Sequence, residues 1–127
     1  MGQQVVKYIL DSNIIIYHLN GNKTATDFIL QNIHVSTISQ ITYIEVLSYE
    51  FASKEDFLNV KEFMENFEIL DTSKAVAVQC IKNRRIRKIK VPDNIIASTA
   101  QVYDYVLVTN NIEDFRGLSL QITTTFE

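Results

Sequence analysis

Four acidic side chains stand where a carboxylate can do chemistry. Asp11 follows the apolar run of residues 5–10, and Asp114 lies in a polar turn after another apolar run. Asp93 opens a helical segment. Glu45 lies within an amphipathic one, close to its apolar stripe, which is predicted to face the core and comprises Ile41, Ile44, Leu47 and Phe51. A charge beside a core face is costly unless it is paired or bound to a metal ion. These four acids are therefore the candidate site residues.

Carboxylates that share a pocket repel one another. Such a cluster either holds protons at raised pKa values or recruits a divalent cation. The hard oxygen atoms favour Mg²⁺ or Mn²⁺, which take one or two carboxylates and keep water ligands that a phosphate can replace. A metal ion held in this way polarises a phosphoryl oxygen and activates a bound water. The reaction that suits the cluster is hydrolysis of a phosphodiester.

Each acid also has an ordinary structural interpretation. Asp11 and Asp93 stand in helix-capping positions, Asp114 suits a turn, and Glu45 can pair with a lysine. Similarly, Ser12 or Asn13 is expected to cap a helix that begins at residue 14. Considered one at a time, none of these residues identifies a function, so spacing alone leaves the function open.

The elements that must position the acids alternate between strands and helices. From β-branched and apolar composition, strands are predicted at residues 5–10, 34–38, 68–70, 106–109 and 120–123. From apolar spacing and caps, helices are predicted at residues 14–19, 23–32, 40–52, 54–67, 74–88 and 94–103. This alternation predicts a parallel sheet covered on both faces. The carboxyl ends of its strands collect at one edge, where ligands bind.

The composition is that of one globular domain spanning residues 1–127. The chain is 46% hydrophobic, and it contains no apolar run long enough for a membrane span and no signal-peptide pattern at its start. The single cysteine, Cys80, is expected to be a small core residue on the inner side of its helix, together with Val76 and Ile81. We therefore expect a cytoplasmic protein without a membrane partner.

The charges are unevenly distributed along the chain. The net charge of −3 argues against a protein that coats nucleic acid by bulk positive charge. Residues 82–90 nevertheless contain Arg84, Arg85 and Arg87 together with three lysines, and this basic segment leads directly to Asp93. The three arginines are candidates for binding an RNA backbone. The alternative is a solvated helix end, where basic side chains complement the helix dipole.

Taken together, these positions resemble the PIN-domain family, in particular the VapC-type toxins of toxin–antitoxin pairs. The resemblance covers nearly the whole chain and includes the order and spacing of its motifs. They are YILDSNIIIYHL, STISQITYIEVLSYEF, VPDNIIASTAQVYDYVLVTNNIEDF and the pair Gly117-Leu118. The resemblance implies a three-layer α/β/α fold with a central, mainly parallel sheet. It also implies an endoribonuclease that depends on Mg²⁺ or Mn²⁺.

The resemblance assigns roles to individual residues. In the family, acids matching Asp11, Glu45 and Asp93 form the metal site, and a fourth acid near Asp114 joins them. Ser12 stands where a threonine is commoner, and it keeps the hydroxyl group. The supporting residues of the family match Asn13, Thr109 and Asn111.

The resemblance also implies partners, namely an RNA substrate, a small cognate antitoxin and a second copy in a homodimer. The aromatic-rich helices at residues 40–52 and 54–67 match the region that helps to form the antitoxin groove, so an apolar patch is expected there. Alternatives are a PIN nuclease in housekeeping RNA processing and a non-catalytic binding module. A phosphoacceptor receiver domain fits less well, because it needs an acidic pair after the first strand and a lysine after a late one.

Overall fold

The structure, a computed structural model, describes residues 5–125. Within them, five strands form one sheet: Tyr8–Leu10 (β1), Ser36–Ser39 (β2), Glu68–Leu70 (β3), Val106–Val108 (β4) and Ile122–Thr123 (β5). Their order across the sheet is β3-β2-β1-β4-β5, and every neighbouring pair is parallel. The carboxyl ends of β1 and β4, which precede Asp11 and Thr109, are therefore adjacent.

Six α-helices connect these strands within the described residues. They are Ser12–Leu19 (α1), Lys23–Gln31 (α2), Gln40–Leu47 (α3), Lys54–Met64 (α4), Lys74–Ile86 (α5) and Val91–Tyr103 (α6). Successive strand residues point to opposite faces of the sheet. Leu10 and Val108 accordingly belong to a core formed with α1 to α4, whereas Ile9 and Leu107 belong to one formed with α6. This arrangement confirms the three-layer α/β/α fold.

Several elements begin or end at other residues than predicted. β1 begins at Tyr8, which is the first residue paired with β2 and β4, and Val5 is 68% exposed. α3 ends at Leu47, because the Ser48 hydroxyl donates to the Ile44 carbonyl and the chain turns there. α6 begins earlier than predicted, since Pro92 lies in its first turn, where a missing N–H group costs nothing.

The buried face of α3 differs from the predicted one. Apolar spacing predicted that Ile44 faces the core, but its side chain is 53% exposed, and the buried residues are Thr42 and Val46. The hydroxyl of Thr42 finds partners inside, at 3.0 Å from the Ser12 hydroxyl and 3.3 Å from that of Ser39. A buried hydroxyl with such partners is tolerated. The helix is therefore rotated about its axis relative to the prediction.

No helix among residues 5–125 is long and apolar enough to cross a membrane. The inner side of α5 is also less apolar than predicted. Val76 is buried as expected, Cys80 is only half-buried, and Ile81 is 58% exposed. The buried side chain on that side is instead the amide of Asn83.

Candidate active site

Asp11 lies at the centre of the carboxyl edge of the sheet. Its backbone N–H donates to the Val108 carbonyl at 2.9 Å, so the residue is held between β1 and β4. Its side chain is only 4% exposed. Asp11 is the N-cap residue of α1, as its ordinary interpretation expects, although its carboxylate does not have the geometry of a capping hydrogen bond. Capping alone does not account for the burial of this carboxylate.

Burial raises the pKa of Asp11 to about 6, from its ordinary value of 3.8. The Thr109 hydroxyl donates to Asp11 Oδ2 at 2.8 Å and lowers the pKa, and the nearby N–H groups of Asn13 and Ser12 also lower it. The negative charge of Asp93 raises it further. Asp11 is thus a carboxylate whose charged form is destabilised in the folded protein.

Thr109 connects the ends of β4 and β1. Its fully buried hydroxyl accepts the Asn111 backbone N–H at 3.0 Å, which leaves its proton for the Asp11 carboxylate. Of the residues that the family resemblance named as supporting ones, Thr109 therefore binds Asp11 directly, and the backbone of Asn111 binds Thr109. Together they fix the orientation of the Asp11 carboxylate.

Glu45 reaches the same edge from α3. Its Oε1 accepts the Ser12 hydroxyl at 2.7 Å, and Ser12 itself is 6% exposed. Neither Ser12 nor Asn13 caps α1 as predicted, because the helix already begins at Ser12. The bond from Ser12 to Glu45 was not predicted, and its only signal in the sequence is a hydroxyl residue directly after Asp11.

Asp93 lies in the first turn of α6 and is half-buried. Burial raises its pKa, and the charges of Asp114 and then Glu45 raise it further, while Lys90 lowers it. Since Asp93 also raises the pKa of Asp11, its carboxylate interacts with all three of the other acids. The other three predicted acids are therefore all within electrostatic range of Asp93.

Asp114 is the exposed member of the group. It belongs to the 3₁₀ turn Ile112–Phe115, and its backbone N–H donates to the Asn111 carbonyl at 3.1 Å. The adjacent acid, Glu113, forms an ion pair with Arg116. Of the two neighbouring carboxylates, Asp114 is thus the one whose charge acts on Asp93.

A buried amide network, which was not predicted, fixes the residue that follows Asp93. Asn83 of α5 is fully buried, and its Nδ2 lies 2.7–3.1 Å from three acceptors on α6, namely Asn94 Oδ1, Ser98 Oγ and Gln101 Oε1, which share its two protons. Asn94 in turn donates to the Cys80 carbonyl at 2.9 Å. Because Asn94 is the neighbour of Asp93, this network fixes the start of α6 against α5.

The three arginines proposed for RNA binding have different surroundings. Arg85 is exposed, and Arg84 is exposed with one Nη1 at 3.5 Å from the Ile89 carbonyl. Arg87 instead donates to two carbonyl groups of the turn that carries Asp114. Arg85, and Arg84 apart from its Nη1, therefore present guanidinium surface that a ligand could contact.

The four acids suit a divalent cation by donor type and by charge. None of the ion pairs among residues 5–125 involves them, and within this range no three Asp, Glu, His or Cys side chains form a ready-made metal site. Two of the acids have raised pKa values because they are buried and repel one another. A cation with its own water ligands would relieve this repulsion.

Solved structures with the same fold include several toxin–antitoxin complexes. A chain of such a complex from Klebsiella pneumoniae is 28% identical, with a TM-score of 0.78 over 95% of this chain and 99% of that chain. A chain of VapBC-1 from nontypeable Haemophilus influenzae is 26% identical, with a TM-score of 0.78 over 96% of this chain and 100% of the other. A chain of VapBC2 from Rickettsia felis, bound to a DNA fragment from its promoter, is 25% identical, with a TM-score of 0.77 over 94% and 98%.

No curated protein matches the sequence. The family model of the PIN domain matches residues 8–118, a range that contains all four acids and both ends of the basic segment. The match and the structural similarities confirm the resemblance that the sequence motifs indicated. The chain belongs to the PIN-domain family.

Proposed function

We propose that this chain is a divalent-metal-dependent endoribonuclease and the toxin of a toxin–antitoxin pair, acting on RNA in the cytoplasm. One observation carries the proposal: Asp93 interacts electrostatically with Asp11, Glu45 and Asp114, and none of the four has a cationic partner among the ion pairs of residues 5–125. Membership of the PIN-domain family supports nuclease chemistry. The toxin–antitoxin complexes of similar fold support the biological role.

In the proposed mechanism, Asp11 and Asp93 would be the principal ligands of Mg²⁺ or Mn²⁺. Glu45 and Asp114 would complete the ligand set or orient the attacking water. When bound, the metal ion supplies positive charge for the phosphoryl oxygens and lowers the pKa of a bound water. Thr109 and Ser12 hold the Asp11 and Glu45 carboxylates in place, as outer-shell partners do in metal sites.

The proposed substrate contact is the basic segment before α6. Arg84 and Arg85 are exposed, and the segment leads to Lys90 and Asp93. Their charges would attract RNA phosphates toward an otherwise acidic edge. Sequencing of the cleaved ends would identify the substrate as a transfer, ribosomal or messenger RNA.

Two protein partners are part of the proposal. We assign the antitoxin to an open groove of about 440 Å³ between α1, α3 and α4, whose lining combines apolar and aromatic side chains such as Ile16, Leu19 and Phe51 with the acids Glu50 and Asp56. On α5, Val78 and Ile81 are 41% and 58% exposed on the helix surface, which suits a homodimer contact. An antitoxin reading frame beside this gene would distinguish a toxin from a PIN nuclease of RNA processing.

The test is cleavage of RNA by purified protein with Mg²⁺ or Mn²⁺ and with a chelator. The variant Asp93→Asn removes the charge that interacts with the other three acids, and we expect at least about a 100-fold loss of cleavage. The matched control is Asp104→Asn, at the other end of the same helix. Asp104 is exposed and has a φ of 58°, a conformation that asparagine also accepts.

Cleavage that is chelator-sensitive in the wild type and the control, and absent in Asp93→Asn, supports the proposal. Undiminished cleavage by folded Asp93→Asn excludes the proposed site. A wild type that binds RNA without cutting it under any metal condition favours the binding-module alternative.

A further inference from the structure

Arg87 connects the end of α5 to the turn that carries Asp114. It is the C-cap residue of α5, and its own N–H donates to the Asn83 carbonyl at 3.1 Å. From this anchored position its Nη1 donates to the carbonyls of Glu113 at 3.1 Å and Arg116 at 2.8 Å. These two carbonyls lie on either side of Asp114 in the chain. The guanidinium therefore holds the backbone before and after that acid.

The turn has few other attachments near Asp114. Phe115 is 1% exposed and packs in the core beside Ile9 and Ile96, so the turn is anchored after the acid. Before it, residues 112 and 113 are exposed, and the ion pair between Glu113 and Arg116 is internal to the turn. Arg87 is thus a contact that ties the exposed part of the turn to the body of the protein. Carbonyl groups at the end of a helical turn accept hydrogen bonds from cationic side chains favourably.

The same helix end also determines the position of Asp93. Asn83 binds Asn94, the neighbour of Asp93. Arg87, one helical turn after Asn83, binds the backbone beside Asp114. The two acids come from different elements, α6 and the turn after β4. A common attachment on α5 gives them a fixed separation, which a shared ligand requires.

We propose that Arg87 is a positioning residue that holds Asp114 at the carboxylate cluster. This inference rests on the proposed function, because the benefit of holding Asp114 is to complete a cation site. It assigns Arg87 a role different from that of Arg84 and Arg85. Those two would contact the RNA backbone, whereas Arg87 acts on the acidic cluster through the turn.

The hydrogen-bond geometry provides a conservative variant. Both hydrogen bonds are donated by the same nitrogen atom, Nη1, and Nη2 takes part in neither. A lysine ammonium has three donors on one nitrogen and can make both bonds. Arg87→Lys should therefore preserve the position of the turn, whereas Arg87→Gln should release it. The control for loss of one positive charge from the basic segment is Arg85→Gln, since Arg85 is exposed.

The first measurement is hydrogen exchange of the amides of residues 112–117 in protein free of metal and RNA. We expect exchange to be about 10-fold faster in Arg87→Gln than in the wild type, and nearly unchanged in Arg87→Lys and Arg85→Gln. The second is Mn²⁺ affinity by calorimetry without RNA. Affinity should fall about 10-fold in Arg87→Gln and recover in Arg87→Lys.

Kinetics then separate positioning from substrate binding. Arg87→Gln should lower kcat with little change in KM for RNA, because it disturbs the acids and not the RNA contact. Unchanged exchange at residues 112–117 in Arg87→Gln overturns the inference, as does a raised KM with unchanged Mn²⁺ affinity. The latter result would make Arg87 an RNA contact like its neighbours.

Failure of the proposed function gives a different result. A wild type that binds no Mn²⁺ and cleaves no RNA refutes the nuclease and, with it, the use of Asp114 as a ligand. The exchange experiment needs neither metal nor RNA. It still decides whether Arg87 holds the turn.

Discussion

At the scale of single residues, the Asp11 carboxylate lowers the stability of the metal-free fold. It is buried, its principal hydrogen bond comes from Thr109, and its pKa is raised to about 6. A side chain kept at such a cost is typical of a functional site. Asp11 keeps its proton to a higher pH in the folded chain than in the unfolded chain, where its pKa is near 3.8.

The sign of the pH dependence follows from this difference. Between about pH 4 and pH 6 the folded state binds more protons, so the free energy of unfolding falls as pH rises through that range. The difference in pKa corresponds to at most about 3 kcal/mol. Asp11→Asn should therefore make the metal-free protein about 1–3 kcal/mol more stable near neutral pH and flatten its pH dependence.

Urea unfolding of the metal-free wild type, Asp11→Asn and the control Asp104→Asn at several pH values measures this effect. Added Mg²⁺ should stabilise the wild type and the control near neutral pH but not Asp11→Asn, because a ligand that binds only the folded state raises its stability. If Asp11→Asn is less stable than the wild type near neutral pH, the Asp11 carboxylate has a structural role instead.

At the scale of elements, a buried network of amide groups joins α5 to α6. Asn83 is fully buried, and three side chains of α6 share the two protons of its Nδ2. Gln79 donates to Asn83 Oδ1 at 3.0 Å from within α5. A network whose members are all satisfied fixes one relative position of two helices, because any shift leaves a buried polar group without a partner.

Asn83→Ala should accordingly destabilise the protein by about 2–4 kcal/mol, since it leaves buried polar groups unsatisfied and opens a cavity. Asn59→Ala, at an exposed position on α4, is the control and should change the stability by less than about 0.5 kcal/mol. Chemical denaturation of both variants gives the comparison. A small cost for Asn83→Ala would show that α5 and α6 pack adequately without the network.

The order of elements was predictable from the sequence, whereas the rotation of helices was not. Asp11, Asp93 and Asp114 were singled out because each follows a strand or begins a helix, and parallel strands collect their carboxyl ends. Glu45 was singled out because its charge lies beside the apolar stripe of a helix. The prediction that Ile44 lies on the buried face of α3 was wrong. Apolar spacing considers only apolar residues, whereas the buried position is taken by Thr42, a polar residue whose hydroxyl forms hydrogen bonds inside the protein.

Contacts between distant segments were the least predictable part of the site. The bonds from Ser12 to Glu45 and from Arg87 to the turn after β4 join residues 33, 26 and 29 positions apart. Local spacing has no information on such pairs. Local spacing grouped Arg87 with its neighbours in the basic segment. Only the fold shows that the Arg87 side chain binds the turn after β4.

At the scale of the whole molecule, the proposed binding of RNA requires local positive charge, because the chain as a whole is acidic. The net charge is −3, and Asp93 interacts with further carboxylates at the proposed site. Arg84 and Arg85 lie at the end of α5, which packs against α6, the helix that carries Asp93. In the proposed function, their charge would compensate for repulsion of the RNA by the molecule as a whole.

The double variant Arg84→Gln/Arg85→Gln should therefore weaken RNA binding for all sequences alike. Each neutralised phosphate contact contributes about 0.7 to the slope of log K against log salt for single strands, so the slope should decrease by about 1.4. Binding titrations at several salt concentrations, in a chelator to prevent cleavage, measure it. The double variant Lys54→Gln/Lys74→Gln changes the net charge equally at exposed positions on other surfaces. If both double variants alter the slope alike, net charge controls RNA binding and the basic segment has no special role.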